Sequence, residues 1–316
     1  MLNVLFTNVG RRTYLIENAV RLKRDGYPIK IFVTDTSKYT AGFYVSKDII
    51  SLITMKVKGN EKKYADQLLK LCKKNKIKVV IPLMDFELIV LSSQKERFQK
   101  HGITIIISDK DIVKKCLDKK ENFTFCLENN ISMPKAYFLK KKLPEKYPFI
   151  QKRIYGSGSE GLKKINSRKD FSDFKEGRDM LQEFIKGKEY GMNILNDLEG
   201  NFVHASFCEK LLMRTGETDK AIAVYSQKLM SLAKTISKKF KHVGHMDVDF
   251  IVNKRNKIHF IDFNPRFGGF YPIAYLAGYD YLKYILDMVQ QKKFKIPKKQ
   301  KKIFFVKGIS LYSSEN

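Results

Sequence analysis

Two short runs of alternating side chains, joined by a charged turn, constrain this chain more than any other stretch. They lie in GHMDVDFIVNKRNKIHFIDFNPRFGG, residues 244–269. Residues 245–252 and 257–263 each alternate with period two, and residues 253–256 between them are polar, so the stretch reads as a β-hairpin. Residues two apart on a strand share a face, which points Asp262 and Asn264 the same way and lets Asp249 on the paired strand meet them. Two carboxylates and an amide oxygen, with Arg266 just beyond, form a hard-oxygen set beside a fixed positive charge. Mg2+ bridging phosphate oxygens needs such a set, because it takes few protein ligands and leaves the others to the nucleotide. A surface hairpin with scattered polar groups is the weaker reading. Asp262 and Asn264 lie in the apolar run IHFIDFNPRFGGF, where an unpaired carboxylate is costly to bury. His245 and Asp247 lie on the same arm, with their strand phase left open.

A hairpin of this kind needs a nucleotide pocket around it, and 316 residues suffice for two or three small domains with their own cores. No stretch approaches the roughly 18–20 apolar residues of a membrane span. The opening MLNVLFTNVGRR reads as a first strand rather than a signal peptide. Cys72, Cys116, Cys126 and Cys208 show no CxxC spacing, so neither a zinc site nor a disulfide framework is expected, in keeping with a reducing cytoplasm. The net charge of +28 invites a nucleic-acid reading. It is carried mostly by lysines spread along helix-like stretches such as 62–76 and 228–241, with no aromatic-interleaved basic motif. A solvated surface whose field favours anionic small molecules fits better.

Residues 1–110 alternate strands (3–7, 29–34, 79–81, 104–107) with helices (12–26, 64–75, 86–99), which implies a small parallel sheet covered on both faces. Ligands of such sheets gather outside the carboxyl ends of the strands. The residues there are Asn8, Gly10, Arg11 and Arg12, then Asp35, then Asp85 and Glu87; Gly10, Arg11, Asp85 and Glu87 are the substrate candidates. Gly10 lacks the spacing of a dinucleotide fingerprint. Residues 109–130 read as helix, in which Asp118-Lys119-Lys120 opens a helical turn, and Ile-Ser-Met-Pro at 131–134 breaks it. Position alone does not separate Lys119 from Lys120 as a phosphate contact.

In FIQKRIYGSGSEGLKKI, residues 149–165, a strand carrying Lys152 enters a glycine-rich loop and a second strand leaves it. Glycines let backbone N–H groups approach phosphate oxygens. Lys precedes the glycines and strands flank both sides, so this is a flap over a nucleotide rather than a Walker A loop. Next, DMLQEFIKGKEYGMNIL (179–195) gives a strand, a turn and a strand. Glu183, Phe184 and Ile185 form a connection whose backbone suits an adenine edge, and Glu189 follows where it suits ribose hydroxyls. Lys210 and Arg214 precede the polar loop TGETDKA.

The order of these pieces resembles the ATP-grasp superfamily, in particular stand-alone proteins like one half of a carbamoyl-phosphate synthase large chain. IPLMDFEL, Asp118-Lys119 through Pro134, QKRIYGSGSEG, QEFIKGKEY, and DVDF with DFNPRFGG follow one another as the family's motifs do. The resemblance implies an α/β (α+β) ATP-grasp fold with an N-terminal Rossmann-like pre-ATP-grasp domain over 1–110. The ATP-grasp domain spans 111–316: a linker-helix region 111–145, a small flap subdomain 146–187, and a C-terminal subdomain 188–316 carrying the metal site. It implies that Lys119, Lys152 and the loop residues Gly156, Ser157, Gly158, Ser159 and Gly161 bind phosphates. Glu183, Phe184 and Ile185 would read adenine and Glu189 the ribose. Asp249, Asp262 and Asn264 would hold Mg2+ (or Mn2+), with Arg266 and Lys210 as catalytic cations. Arg153 stands where the family has Pro, Asp262 where it has Glu, and Asn130 where Gly is commoner.

The expected activity is that of an ATP- and Mg2+-dependent carboxylate–amine ligase working through an acyl phosphate on a small carboxylic acid or amino acid. A kinase of the same fold, releasing its phosphorylated product, is the alternative. A non-catalytic, basic nucleic-acid-binding protein is the alternative of another class. A homo-oligomer is compatible with all three. No Ser/His or Cys/His pair suggests a protein-bound intermediate, and His204, His242, His245 and His259 read as structural.

Overall fold

A computed structural model describes residues 1–139, 147–156, 161–171, 173–214 and 216–313. Its first unit is a five-stranded parallel sheet, in the order β3-β2-β1-β4-β5. The strands are β1 (Leu2–Thr7), β2 (Ile29–Asp35), β3 (Ile49–Ile53), β4 (Val79–Pro82) and β5 (Thr104–Ile105). Val4, Leu5 and Phe6 in β1 are all buried, as a strand covered on both faces requires. Val4 and Phe6 face α1 (Thr13–Arg24), while Leu5 joins Phe32 and Val80 beneath α2 (Glu61–Lys74). The sequence reading missed β3. It took 86–99 as one helix, which is α3 (Asp85–Ser92) followed by α4 (Lys95–Gln99).

Two helices link this unit to the next: α5 (Lys110–Leu117) and α6 (Lys119–Glu128). Asp118 separates them by accepting hydrogen bonds from the Lys120 and Glu121 N–H groups, a side-chain N-cap that restarts the helix in a new direction. Asn130 then takes φ 56°, the left-handed conformation that its short polar side chain tolerates. A small antiparallel sheet follows, ordered β6-β9-β7-β8. It comprises β6 (Ala136–Tyr137), β7 (Phe149–Arg153), β8 (Lys163–Ile165) and β9 (Asp179–Glu183) over a core of Phe149, Ile165, Phe174 and Leu181.

The last unit is a six-stranded antiparallel sheet in the order β14-β13-β10-β11-β12-β15. Its strands are β10 (Gly187–Asn196), β11 (Phe202–Arg214), β12 (Glu217–Val224), β13 (His245–Asn253), β14 (Ile258–Asn264) and β15 (Phe304–Val306). Met192, Ile194, Phe207, Val248, Phe250 and Phe263 alternate onto one face and bury against α7 (Gln227–Phe240). The intervening residues point to the other face, which is polar. The chain then returns through α8 (Tyr271–Leu276) and α9 (Tyr281–Val289). Leu282, Ile285 and Leu286 of α9 share one core with Leu15 and Ile16 of α1, which fixes the last sheet against the carboxyl ends of the first. No helix among the described residues is long and apolar enough to cross a membrane.

Candidate active site

Strand register dictates which side chains meet on the polar face. Asp249 lies directly opposite Asp262, Asp247 opposite Asn264, and Gly191 on β10 is the other neighbour of Asp249. Glu189 and Lys210 are cross-strand partners on β10 and β11. Because side chains alternate, all of these project to one side of the sheet. The two candidate metal carboxylates therefore oppose each other, with Asn264 one step along.

A bulge sharpens the arrangement. The register shifts between Asp249 and Phe250, leaving Ile261 on β14 without an opposite number. The Ile261 carbonyl is thereby released from the ladder and accepts a hydrogen bond from Lys152 Nζ at 3.1 Å, which brings the flap sheet onto the metal hairpin. Burial pushes the Lys152 amine down to about 8, against the pull of Asp262 and Asp249.

Lys210 occupies the centre. Its side chain is 2% exposed, and its ammonium donates to Asp249 Oδ1 and to Glu189 Oε1, the latter at 3.2 Å. Burial opposes its charge, but Asp249, Glu189 and Asp247 outweigh that and raise its pKa. The ring of Phe270 lies 4.8 Å beneath the ammonium. Gly191 makes room for that ring, since a Cβ there would fall 2.7 Å from Phe270 Cε2.

Arg266 is equally fixed. Its Nε and Nη2 donate to the two carboxylate oxygens of Asp85 at 2.9 and 3.1 Å, and Nη2 also reaches Asn264 Oδ1 at 3.1 Å. Asp85 stands at the start of α3 in the first unit, so a fork-to-fork pair joins the parallel sheet to the end of the metal hairpin. Arg12 Nη1 adds a bond to the Phe267 carbonyl, and the Tyr14 hydroxyl donates to the Gly268 carbonyl at 3.0 Å.

The remaining candidates divide. Lys119 Nζ donates to the Gly156 carbonyl at 2.9 Å, at the entrance to the glycine-rich loop, whereas Lys120 lines an open groove along α6. Gly156 and Gly161 take φ 141° and 69°, while Ser157, Gly158 and Ser159 fall outside the described residues. Arg153, the flap residue after Lys152, pairs with the buried Asp179 at 2.7 Å. In the hinge, the Glu183 and Phe184 N–H groups donate to the Lys135 and Pro148 carbonyls, and among the described residues no such backbone bond engages the Ile185 N–H. Gly10 N–H donates to Asp35 Oδ2 at 2.8 Å, and Arg11 is exposed.

Glu87 is turned inward, fully buried, where Tyr64, Asn8 and the Leu83 and Met84 N–H groups satisfy it. It braces the loop after β1 and presents nothing to the site. Sequence reading also passed over Asn193. That residue stands two steps from Gly191 and four from Glu189 on the same strand, a spacing that places all three on one face.

Among the described residues no three His, Cys, Asp or Glu side chains gather to hold a metal ion by themselves. The hairpin offers two opposed carboxylates and an amide instead.

Comparison with known families agrees with this geometry. Residues 116–270 match the ATP-grasp domain family, and residues 4–106 match the PylC-like N-terminal domain family. The chain carries an ATP-grasp domain behind a PylC-like N-terminal domain. No curated protein matches it in sequence. The ATP-grasp fold extends over most of its length in solved structures. An L-amino acid ligase from Bacillus licheniformis superposes with TM-score 0.72 at 16% identity, covering 92% of this chain and 74% of that one. An N5-carboxyaminoimidazole synthetase from Staphylococcus aureus, complexed with ADP, gives 0.71 at 15%, covering 93% and 79%. The biotin carboxylase domain of the Hydrogenobacter thermophilus 2-oxoglutarate carboxylase, complexed with MgADP and bicarbonate, gives 0.71 at 16%, covering 93% and 70%.

Proposed function

We propose that this protein is an ATP- and Mg2+-dependent carboxylate–amine ligase that activates a small carboxylic acid or amino acid as its acyl phosphate. The observation that carries the proposal is the opposition of Asp249 and Asp262, with Asn264 beside them and Lys210, Lys152 and Arg266 around them. The similarity in fold to an amino acid ligase, an ADP-bound synthetase and an MgADP-bound biotin carboxylase domain supports it. The donor set is all oxygen, with two charges and too few groups to complete a coordination shell, which fits Mg2+ shared with phosphates. Asp249, Asp262 and Asn264 would hold the ion, which when bound neutralises charge on the phosphate oxygens.

The chain's own groups do the rest by position and charge, as phosphoryl transfer requires. Lys119 and Lys152 would engage the phosphates together with the glycine-rich loop. The Ile185 backbone would meet the adenine edge, with Glu183 and Phe184 beside it, and Glu189 the ribose. Arg266, held rigid by Asp85, would face the transferring phosphoryl group. A carboxylate oxygen of the substrate attacks the γ-phosphorus and ADP leaves. The amine nitrogen then attacks the acyl carbon, phosphate leaves and the nitrogen loses a proton.

Purified protein with ATP and Mg2+, screened against pooled acids and amines, should release inorganic phosphate and form a condensed product visible by mass. A stable phosphorylated acid would make it a kinase. Asp262→Ala should abolish turnover while leaving the fold intact, and wild-type rates in that variant would remove the metal assignment.

A further inference from the structure

The six-stranded sheet leaves part of one face bare. Ala221 and Phe305 share a core with Phe270 and with Ile273 of α8, so the residues that alternate with them on β12 and β15 point to the opposite face. On that face α7 covers Phe207 and Val224. Beyond Val224 the register sets Ile222 between Glu209 and Phe304, and Lys220 between Leu212 and Val306. Leu212, Ile222, Phe304 and Val306 thus adjoin across three strands, and each is between 42% and 76% exposed. A lone exposed apolar residue needs no explanation, whereas a contiguous set marks a contact surface. Ile309 and Leu311, in the segment after β15, are more exposed still.

The charges around this face have one sign. Lys220 stands within it, and residues 292–302 bring seven lysines and no acid to its border. The Gln300 side-chain amide donates to the Val224 carbonyl at 3.3 Å, and the Ala223 N–H donates to the Ile303 carbonyl at 3.0 Å, which fixes the end of that run beside β12. Lys298, Lys299, Lys301 and Lys302 are exposed, and among the described residues none of them forms an ion pair. Glu209, the acid in these rows, is taken by Lys188 at 2.8 Å.

Charge decides between occupants. A second copy would bring two lysine sets together, and like charge opposes that contact. A nucleic acid would engage the lysines but leave the aliphatic chains in water, since stacking needs aromatic rings and Phe304 is the one ring among the four apolar residues. An anionic lipid surface meets both needs, with phosphates for the lysines and the acyl boundary for the apolar groups. We propose that this face, with Lys298, Lys299, Lys301 and Lys302 at its rim, docks the protein on an anionic lipid surface, lying against the bilayer without crossing it. Lys210 and the metal hairpin occupy the sheet's other face, so docking leaves the candidate active site turned away from the lipid. The inference is independent of the ligase reading.

The sequence has no tryptophan, so Phe304→Trp puts a single reporter on this face. The full chain is sedimented with vesicles of phosphatidylcholine alone or of phosphatidylcholine with phosphatidylglycerol. Binding to the anionic vesicles should be at least about tenfold tighter, and should weaken by about tenfold or more as salt rises from about 0.1 to 0.5 M. On those vesicles the emission of the Phe304→Trp protein should move to shorter wavelength and be quenched by brominated acyl chains. Lys298→Gln, Lys299→Gln, Lys301→Gln and Lys302→Gln combined should cost at least about tenfold in binding. Ile222→Ser with Phe304→Ser should weaken binding severalfold while leaving retention on heparin unchanged. The changed side chains are exposed, so each variant should keep the wild-type melting temperature. Equal binding to both vesicle types, no binding, or emission indifferent to lipid would overturn the proposal. Retention on heparin or an oligonucleotide without vesicle binding would overturn it and give the lysines to a soluble polyanion. A dimer in sedimentation velocity that Phe304→Ser dissociates would also overturn it and give the apolar face to a second copy.

Discussion

Lys210 and Asp249 form an ion pair inside the sheet face, with Lys210 also holding Glu189. One cation thus ties the candidate ribose carboxylate to a candidate metal carboxylate before any ligand arrives. Removing it would take the ion-pair partner from the partly buried Asp249, and breaking a fully buried pair from one side costs roughly 3–5 kcal/mol, so the loss here should be below that range. Lys210→Met should therefore lower the melting temperature by several degrees. Added Mg2+ should restore more of it in the variant than in the wild type, because the metal would become the chief cation at Asp249. Thermal unfolding with and without Mg2+ checks this, and an equal metal response in both proteins would separate Lys210 from the metal site.

The hairpin was legible because period-two alternation survives in both arms and fixes which residues share a face. It yielded the opposed carboxylates and the side of the sheet they occupy. The bulge at Ile261 was not legible, since an extra residue in one arm shows only against its partner's register. Strand β3, residues 49–53, was missed because IISLI has no clear alternation and lies at a partly exposed edge. Glu87 and Asp85 looked alike in sequence, two acids following a strand. Tyr64 and Asn8 turn one inward, and Arg266, 181 residues away, turns the other to the site. Contacts of that separation leave no local pattern to read.

Lys152 illustrates a site residue that costs the fold something. Its pKa is about 8 in the native state and about 10.4 in an unfolded chain. Below pH 8 the lysine is charged in both states, and the native state bears the full cost of burying that charge. Between about pH 8 and 10.4 the unfolded chain holds more protons, so native stability rises with pH. Lys152→Met removes the charge and should be as stable as the wild type or more so at pH 7, by at most roughly 3 kcal/mol. It should also flatten the rise above pH 8 and increase the KM for ATP severalfold. A variant clearly less stable at pH 7 would show that the bond to the Ile261 carbonyl outweighs the burial cost.

Gly268 and Gly269 are adjacent but differ in what a methyl group would meet. At Gly268 the added carbon would coincide with the Asp247 carboxylate, whereas at Gly269 it would make ordinary contact with Glu217 at 3.5 Å. Gly268→Ala should displace Asp247 or the turn, lowering stability by about 1–3 kcal/mol, as overpacking does, and turnover with it. Gly269→Ala should behave nearly as wild type. Equal effects at both positions, by melting temperature and by turnover, would mean that backbone freedom rather than the Asp247 contact sets the requirement for glycine.

Asp85 holds Arg266 through a two-bond fork that sets the guanidinium plane. If Arg266 acts on charge that develops during phosphoryl transfer, loosening its fork should lower kcat more than it weakens nucleotide binding. Asp85→Asn retains one acceptor, sets an amide nitrogen against the guanidinium, and removes the opposing charge. Its kcat should fall about 10- to 100-fold with the KM for ATP nearly unchanged. Arg266→Lys should fall further, because an ammonium cannot reproduce the planar fork. In the double variant the losses should not add, since the second change removes an interaction already broken. Full additivity in that cycle would place Asp85 and Arg266 in separate roles, and a loss confined to KM would make the pair a binding element.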